Sequence, residues 1–408
     1  MPGGFGGAGQ ASAAPGAPAA SAAPGAVTAA ADGAAYRVDG AQLVAAAERA
    51  AAGAAVEVRV PVPQGEAAYE LRLAGEGLRA LASRGSAVRI AAGGAEITLP
   101  AAVLEQAGAA GEAVLTFRAG ADAARQAASA AAQGSSALTD RGIVYSMTLE
   151  LRTGGQTERL TAFREPVTVN VTFTPQQAAA VNADYAGVYR LNGSSAEYLG
   201  GSFRPDGVSF RTAGFSDFAV LEYRKSFKDL AGHWAEESVR KLAAKHVATG
   251  VSEDRFAPGA SLTRADFAVL AVKLLEPGRS ADGTAAFGDV PANAYYAGYV
   301  ARAAELGLVS GYNGSYRPLD PVSREEAAVI LMKLREQAAG NSASGTASGS
   351  GAAAVPFTDM KDVSGWAADA VNAAKEAGLV NGLGGGKFMP KKPVTRAEAA
   401  VMLAKMLD

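Results

Sequence analysis

Cysteine is absent from the 408 residues, which excludes disulfides, a cysteine-built zinc site and thiol chemistry. Histidine is almost absent: His233 and His246 are the only two. With no other His or Cys beside them, a transition-metal site is not expected, and no cofactor is implied. Residues 35–224 contain no histidine at all, so a Ser-His-Asp grouping cannot form there. The glycine-rich pieces lack the Lys-Ser/Thr of a phosphate loop. No stretch of about 20 apolar residues occurs, so nothing reads as a membrane span. Neither sign of charge dominates: 38 Lys+Arg against 40 Asp+Glu give a net charge of −2. No broad basic field invites nucleic acid or an acidic membrane. The N-terminus lacks both the basic start and the solid apolar core of a signal peptide.

What is present divides the chain by composition. Residues 1–34 are rich in Ala, Gly, Pro and Ser and are expected to be disordered. Residues 35–135 and 136–224 read as two β-rich modules, all-β or α+β and sandwich-like. Alternations such as Val56, Val58, Val60 and Leu71, Leu73 mark strands. Asn192-Gly193 and Asp206-Gly207 mark hairpin turns. Alanine-rich stretches near Gln42–Ala52 and Glu76–Ser83 read as short helices, and Ala119–Ala137 fits either a loop or a weak helix. A carboxylate pair for glycoside hydrolysis has no distinguishing spacing here, so no catalytic residue is named and the region reads as a spacer or interaction domain.

The last 180 or so residues are built on a repeated box. Thr263-Arg264-Ala265-Asp266, Ser323-Arg324-Glu325-Glu326 and Thr395-Arg396-Ala397-Glu398 each place a hydroxyl, an arginine and a carboxylate at the start of an apolar helix. The hydroxyl and the carboxylate form a capping box. The arginine then sits beside the positive end of the helix dipole, which calls for a nearby anion. Eight residues before each arginine is an aromatic (Phe256, Tyr316, Phe388), and six before it a proline (Pro258, Pro318, Pro390). Thirteen or fourteen before it is Gly250, Gly311 or Gly382. Each unit opens with Phe-x-Asp, giving Asp229, Asp289 and Asp359, and an aromatic follows at Trp234, Tyr296 and Trp366. The units fall at 225–283, 284–337 and 355–408, with a Gly/Ser/Ala linker at 338–354. Two helices of this length cannot bury their apolar faces alone, so an all-α, pseudo-threefold bundle of three units is expected.

Phe-x-Asp, the Gly-His-Trp-Ala at Gly232–Ala235 and Thr-Arg-Ala-Glu together resemble bacterial surface-layer homology (SLH) domains. The resemblance implies non-covalent anchoring of an exported protein to the cell wall, extracellular and at the surface of a Gram-positive cell. The implied partner is a secondary cell-wall polysaccharide carrying pyruvate ketals, attached to peptidoglycan and bound in grooves between repeats. It also places the binding role on Arg264, Arg324 and Arg396. A guanidinium offers a ketal carboxylate a forked pair of donors, and helix-end N–H groups are expected to add more. Trp234, Tyr296 and Trp366 are candidate groove walls. Asp229, Asp289 and Asp359 are candidate acceptors for sugar hydroxyls, with Gly250, Gly311 and Gly382 in the adjoining loops. Since the chain shows no signal peptide, it reads as a fragment of a larger exported one. Two alternatives remain: a cell-surface carbohydrate-active enzyme, or a self-associating subunit of a surface lattice.

Overall fold

The computed structural model describes residues 26–63, 66–278, 287–341 and 356–407. The expected disorder of residues 1–25 and most of the expected linker at 338–354 therefore lie outside the described residues. Residues 338–341 are the last turn of the helix Arg324–Asn341. Val27–Thr28 and Ala30–Asp32 are strands, so ordered pairing begins earlier than composition indicated.

Two β-sheets dominate the N-terminal part. One has seven strands in the order Val27–Thr28, Val56–Arg59, Val88–Ala92, Ala95–Leu99, Val167–Thr172, Gly207–Thr212, Ser202–Arg204. The other is centred on the long strand Leu138–Thr153, flanked by Glu112–Ala119 and Asp217–Tyr223. Alternate residues point inward because strand side chains have a period of two: Val56 and Val58, Leu71 and Leu73, Val88 and Ile90 are all fully buried. Residues from both sheets share one core. Each sheet draws strands from both sides of residue 136, so the expected division between residues 135 and 136 falls inside hydrogen-bonded sheets. Ala119–Ala137 resolves as the helix Asp122–Gln133, whose Ala124 and Ala128 pack on Val144, Tyr189 and Leu221. Its small residues give a weak apolar signal, and the sheet face supplies what the helix lacks.

The C-terminal part contributes three helix pairs: Glu236–Ala244 with Arg264–Leu275, Ala297–Glu305 with Arg324–Asn341, and Ala368–Glu376 with Arg396–Ala404. All share one core. At its centre Val322 N–H donates to Leu262, Val394 N–H to Val322, and Leu262 N–H to Val394, at 2.9–3.0 Å. The three units thus close a cycle of backbone bonds around side chains that are almost fully buried. Among the described residues no helix is long and apolar enough to cross a membrane.

The first helix pair is also joined to the sheets. His246 Nε2 lies 3.0 Å from the Tyr189 hydroxyl, and the Tyr198 and Tyr223 rings lie 4.4 and 4.9 Å from the imidazole. Lys245 donates to the carbonyls of Ala183 and Ala186 at 2.6 and 2.8 Å. His246 has φ +55°, and in the other two units the matching helix end carries Gly307 (+69°) and Gly378 (+70°). The following N–H bonds back identically in all three, Val247 to Leu242, Leu308 to Ala303 and Leu379 to Ala374. A left-handed helix end favours glycine; here it holds an imidazole that plugs a tyrosine-lined socket.

Candidate functional site

The three box arginines have one job in common. Arg264 Nε donates to the Tyr316 carbonyl, Arg324 Nε to Phe388, and Arg396 Nε to Phe256, at 2.7–2.9 Å. Each guanidinium also lies 4.5–4.9 Å over the ring of that same aromatic residue. Every arginine therefore reaches from its own unit into the next, and the third reaches back to the first. The helix-end donors behave likewise. Arg264 and Ala265 N–H go to Asp320 and Pro318, Arg324 and Glu325 to Lys392 and Pro390, and Arg396 and Ala397 to Ala260 and Pro258. This corrects the expectation that free N–H groups at these helix ends would face a ligand: the neighbouring proline loop takes them.

Beyond this common scaffold the arginines differ. Arg264 forms an ion pair with Glu326. Arg324 is only 1% exposed, donates to the Asn381 carbonyl at 2.6 Å, and lies 3.7 Å from Glu398. Arg396 is half-buried and donates to the Thr249 carbonyl at 2.7 Å. Among the described residues it forms no ion pair with a carboxylate. The cause is the box residue of the first unit. Glu326 and Glu398 are long enough to reach back to the N–H of Ser323 and Thr395, at 2.8 and 2.9 Å. Asp266 is one methylene shorter; it accepts from the Thr263 hydroxyl at 2.8 Å and from the Tyr295 hydroxyl.

Beside Arg396 opens a cavity of about 290 Å³, lined among others by Thr249, Phe256, Asp266, Lys273, Tyr295 and Arg396. It lies where all three units meet. Its groups are a forked cation, a second cation on the helix Arg264–Leu275, a carboxylate, and the 64%-exposed ring of Tyr295. Burial pushes the Tyr295 hydroxyl pKa up, and its bond to Asp266 adds to the rise. Burial lowers that of the Lys273 ammonium.

The remaining expected site residues fall into two groups. Trp234 and Trp366 stand 64% and 62% exposed, whereas Tyr296 is 7% exposed and sits in the core. Tyr295 is the exposed equivalent, and Tyr296 takes the place of buried Ala235 and Ala367. The adjacent tyrosines hid this register; the alanine that follows each tryptophan was the signal. Asp229, Asp289 and Asp359 spend both carboxylate oxygens on backbone N–H groups, those of Phe256 and Ala257, Tyr316 and Arg317, and Phe388 and Met389, at 2.7–2.9 Å. The second residue of each pair has φ +57° to +60°, so the carboxylate clamps a strained turn instead of offering itself to a sugar. Gly250 and Gly311 are packed against their own phenylalanine rings: a Cβ on either would lie 2.6 Å from Phe227 or Phe287. Gly382 has more room, 3.5 Å from Phe357. Lys273 had no signal in the sequence beyond its place in an apolar helix.

The S-layer homology domain model matches residues 226–268, 286–328 and 356–400. The C-terminal part of the chain thus carries three S-layer homology domains. Over 214 residues the chain is 31% identical to an amylopullulanase of Thermoanaerobacterium thermosulfurigenes, covering 52% of this chain and 11% of that protein. It is 29% identical over 182 residues to an S-layer protein of Bacillus thuringiensis subsp. finitimus, covering 44% of this chain and 21% of the other. A cellulosome-anchoring protein of Acetivibrio thermocellus is 38% identical over 105 residues, 25% of this chain and 21% of that one. The chain spans about a fifth or less of the length of these relatives.

Proposed function

We propose that residues 225–408 hold an exported protein at the bacterial cell surface by binding an acidic wall polysaccharide, with a pyruvate ketal as the recognised group. The observation that carries this reading is the Arg396 guanidinium, which faces a cavity and, among the described residues, has no carboxylate at ion-pair distance. An arginine already positioned by two carbonyls loses little freedom when its fork meets a ligand carboxylate. Tyr295 offers its exposed ring to the C–H face of a sugar, and Asp266 an acceptor to a hydroxyl. Arg264 and Arg324 are pair-bonded within the fold, so the main site is the Arg396 groove. The closed cycle through Leu262, Val322 and Val394 supports a pseudo-threefold helical bundle with units at 225–283, 284–337 and 355–408.

Relatives named as enzymes and as S-layer proteins match this chain over similar shares, which favours a shared anchoring part over a shared chemistry. Residues 27–224 are read as what the anchor carries or spaces, and no catalytic role is assigned to them. The test is co-sedimentation of the whole chain with purified walls, intact and stripped of the pyruvylated polymer. Binding should be lost on stripped walls; equal binding to both would discard the proposed ligand.

A further inference from the structure

Arg396 is not the only cation in its cavity. Lys273 projects from the helix Arg264–Leu275 into the same space, half-buried, with its ammonium 5.8 Å from the centre of the Tyr299 ring. Among the described residues it forms no ion pair. Asp266, the carboxylate lining the cavity, is held by the hydroxyls of Thr263 and Tyr295. The cavity lining therefore carries two cations against one carboxylate. An ammonium taken partly out of water without a counter-ion costs stability, and a ring face at that distance compensates only part of it. Such a group is offset when an anion arrives.

We propose that Lys273 is a second anion-binding group of the Arg396 groove, so that the groove selects a saccharide bearing two acidic substituents over one bearing a single one. The inference rests on the anchoring reading above. One acidic group meets the forked donors of Arg396; the other reaches Lys273, with Tyr295 beside the sugar. As a point charge with rotatable donors, Lys273 tolerates variation in where the second acid sits, whereas Arg396 fixes the first.

The experiment is calorimetric titration of the full chain with two disaccharides, one carrying a pyruvate ketal on one ring and one carrying it on both. The wild type should bind the doubly substituted disaccharide about tenfold more tightly, a preference that weakens as salt is raised. Lys273→Met should weaken the doubly substituted ligand about tenfold more than the singly substituted one and so abolish the preference, and Arg396→Ala should weaken both. Equal affinity for the two ligands in the wild type, or a preference that survives Lys273→Met, overturns the role of Lys273 while leaving the anchoring reading intact. Failure of the wild type to bind either overturns both. Thermal melting gives an independent readout: the ligand-free Lys273→Met variant should melt no lower than the wild type, because an unpaired, half-buried charge has been removed. A clear fall would mark the lysine as structural and sink the proposal.

Discussion

Arg396 Nε donates at 2.9 Å to the carbonyl of Phe256, joining residues 140 apart in the chain. This bond closes the circuit that Arg264 and Arg324 begin, and the three arginines should respond differently to removal. Arg324→Ala strands the carbonyl of buried Phe388 and frees that of Asn381, while Glu398 keeps the Lys392 ammonium, so a loss of about 1–3 kcal/mol is expected. Arg396→Ala should cost less in stability, yet wall binding should fall much further than in Arg264→Ala. Urea melts and wall co-sedimentation, run side by side, separate the two effects. Equal binding losses in Arg264→Ala and Arg396→Ala would contradict the assignment of one main groove.

The aspartate clamps predict an acid limit for the helical part. Backbone N–H bonds hold the pKa of Asp289 below its ordinary value against the opposing effect of burial. For Asp229 and Asp359 burial is the larger single influence and raises the pKa, but the paired N–H bonds together outweigh it and the net direction is again down. A lowered folded-state pKa means stability that is complete above the ordinary value of 3.8 and is lost as pH falls through the lowered one. The clamps should therefore contribute fully down to about pH 4, and removing one should flatten the fall in denaturant midpoint that occurs below that pH. Asp359→Ala, which orphans two N–H groups in a strained turn, should cost about 1–3 kcal/mol at neutral pH.

Glycine is needed to unequal degrees. Gly311→Ala drives a methyl into the Phe287 ring and the Ser315 carbonyl, each 2.6 Å away, and should destabilise by about 1–3 kcal/mol. Gly382→Ala meets its nearest atom, the Lys387 carbonyl oxygen, at 3.0 Å and should cost distinctly less. Thermal melts of the two variants decide this, and a larger loss at Gly382 would contradict the packing described.

Much of this was legible because the constraints are local. Capping boxes show in sequence because a hydroxyl must lie three residues before a carboxylate, and the strands Val56–Arg59 and Ala68–Ala74 alternate as half-buried strands should. What did not show depends on partners distant in the chain. Nothing near Arg324 says that Asn381 and Phe388 will enclose it, and nothing near Pro258 says that its carbonyl receives a helix end from the third unit. The register of Tyr295 and Tyr296 turned on which ring faces the core, a choice made by packing. The two sheets likewise mix strands from both expected modules, since pairing follows the shared core rather than chain order.

His246 gives a test of the joint between sheets and helices. Burial, aided by the Lys273 cation, lowers its pKa from 6.5 to about 4. The unfolded chain then takes up a proton between those values that the folded one refuses. Stability should be greatest above pH 6.5 and decline toward pH 4, by at most about 3 kcal/mol. His246→Asn, which tolerates the left-handed backbone, should flatten that slope in thermal melts. An unchanged slope would show that the imidazole does not sense the socket.

That same residue bears on how the molecule is used. Where its sister units turn on a glycine, the first carries a bulky ring locked between tyrosines, with Lys245 pinned to the adjoining strand. A swivel is replaced by a keyed coupling. In the anchoring role proposed above, the sheets on such a coupling would be aimed as well as tethered, their outlook set by the protein's own skeleton.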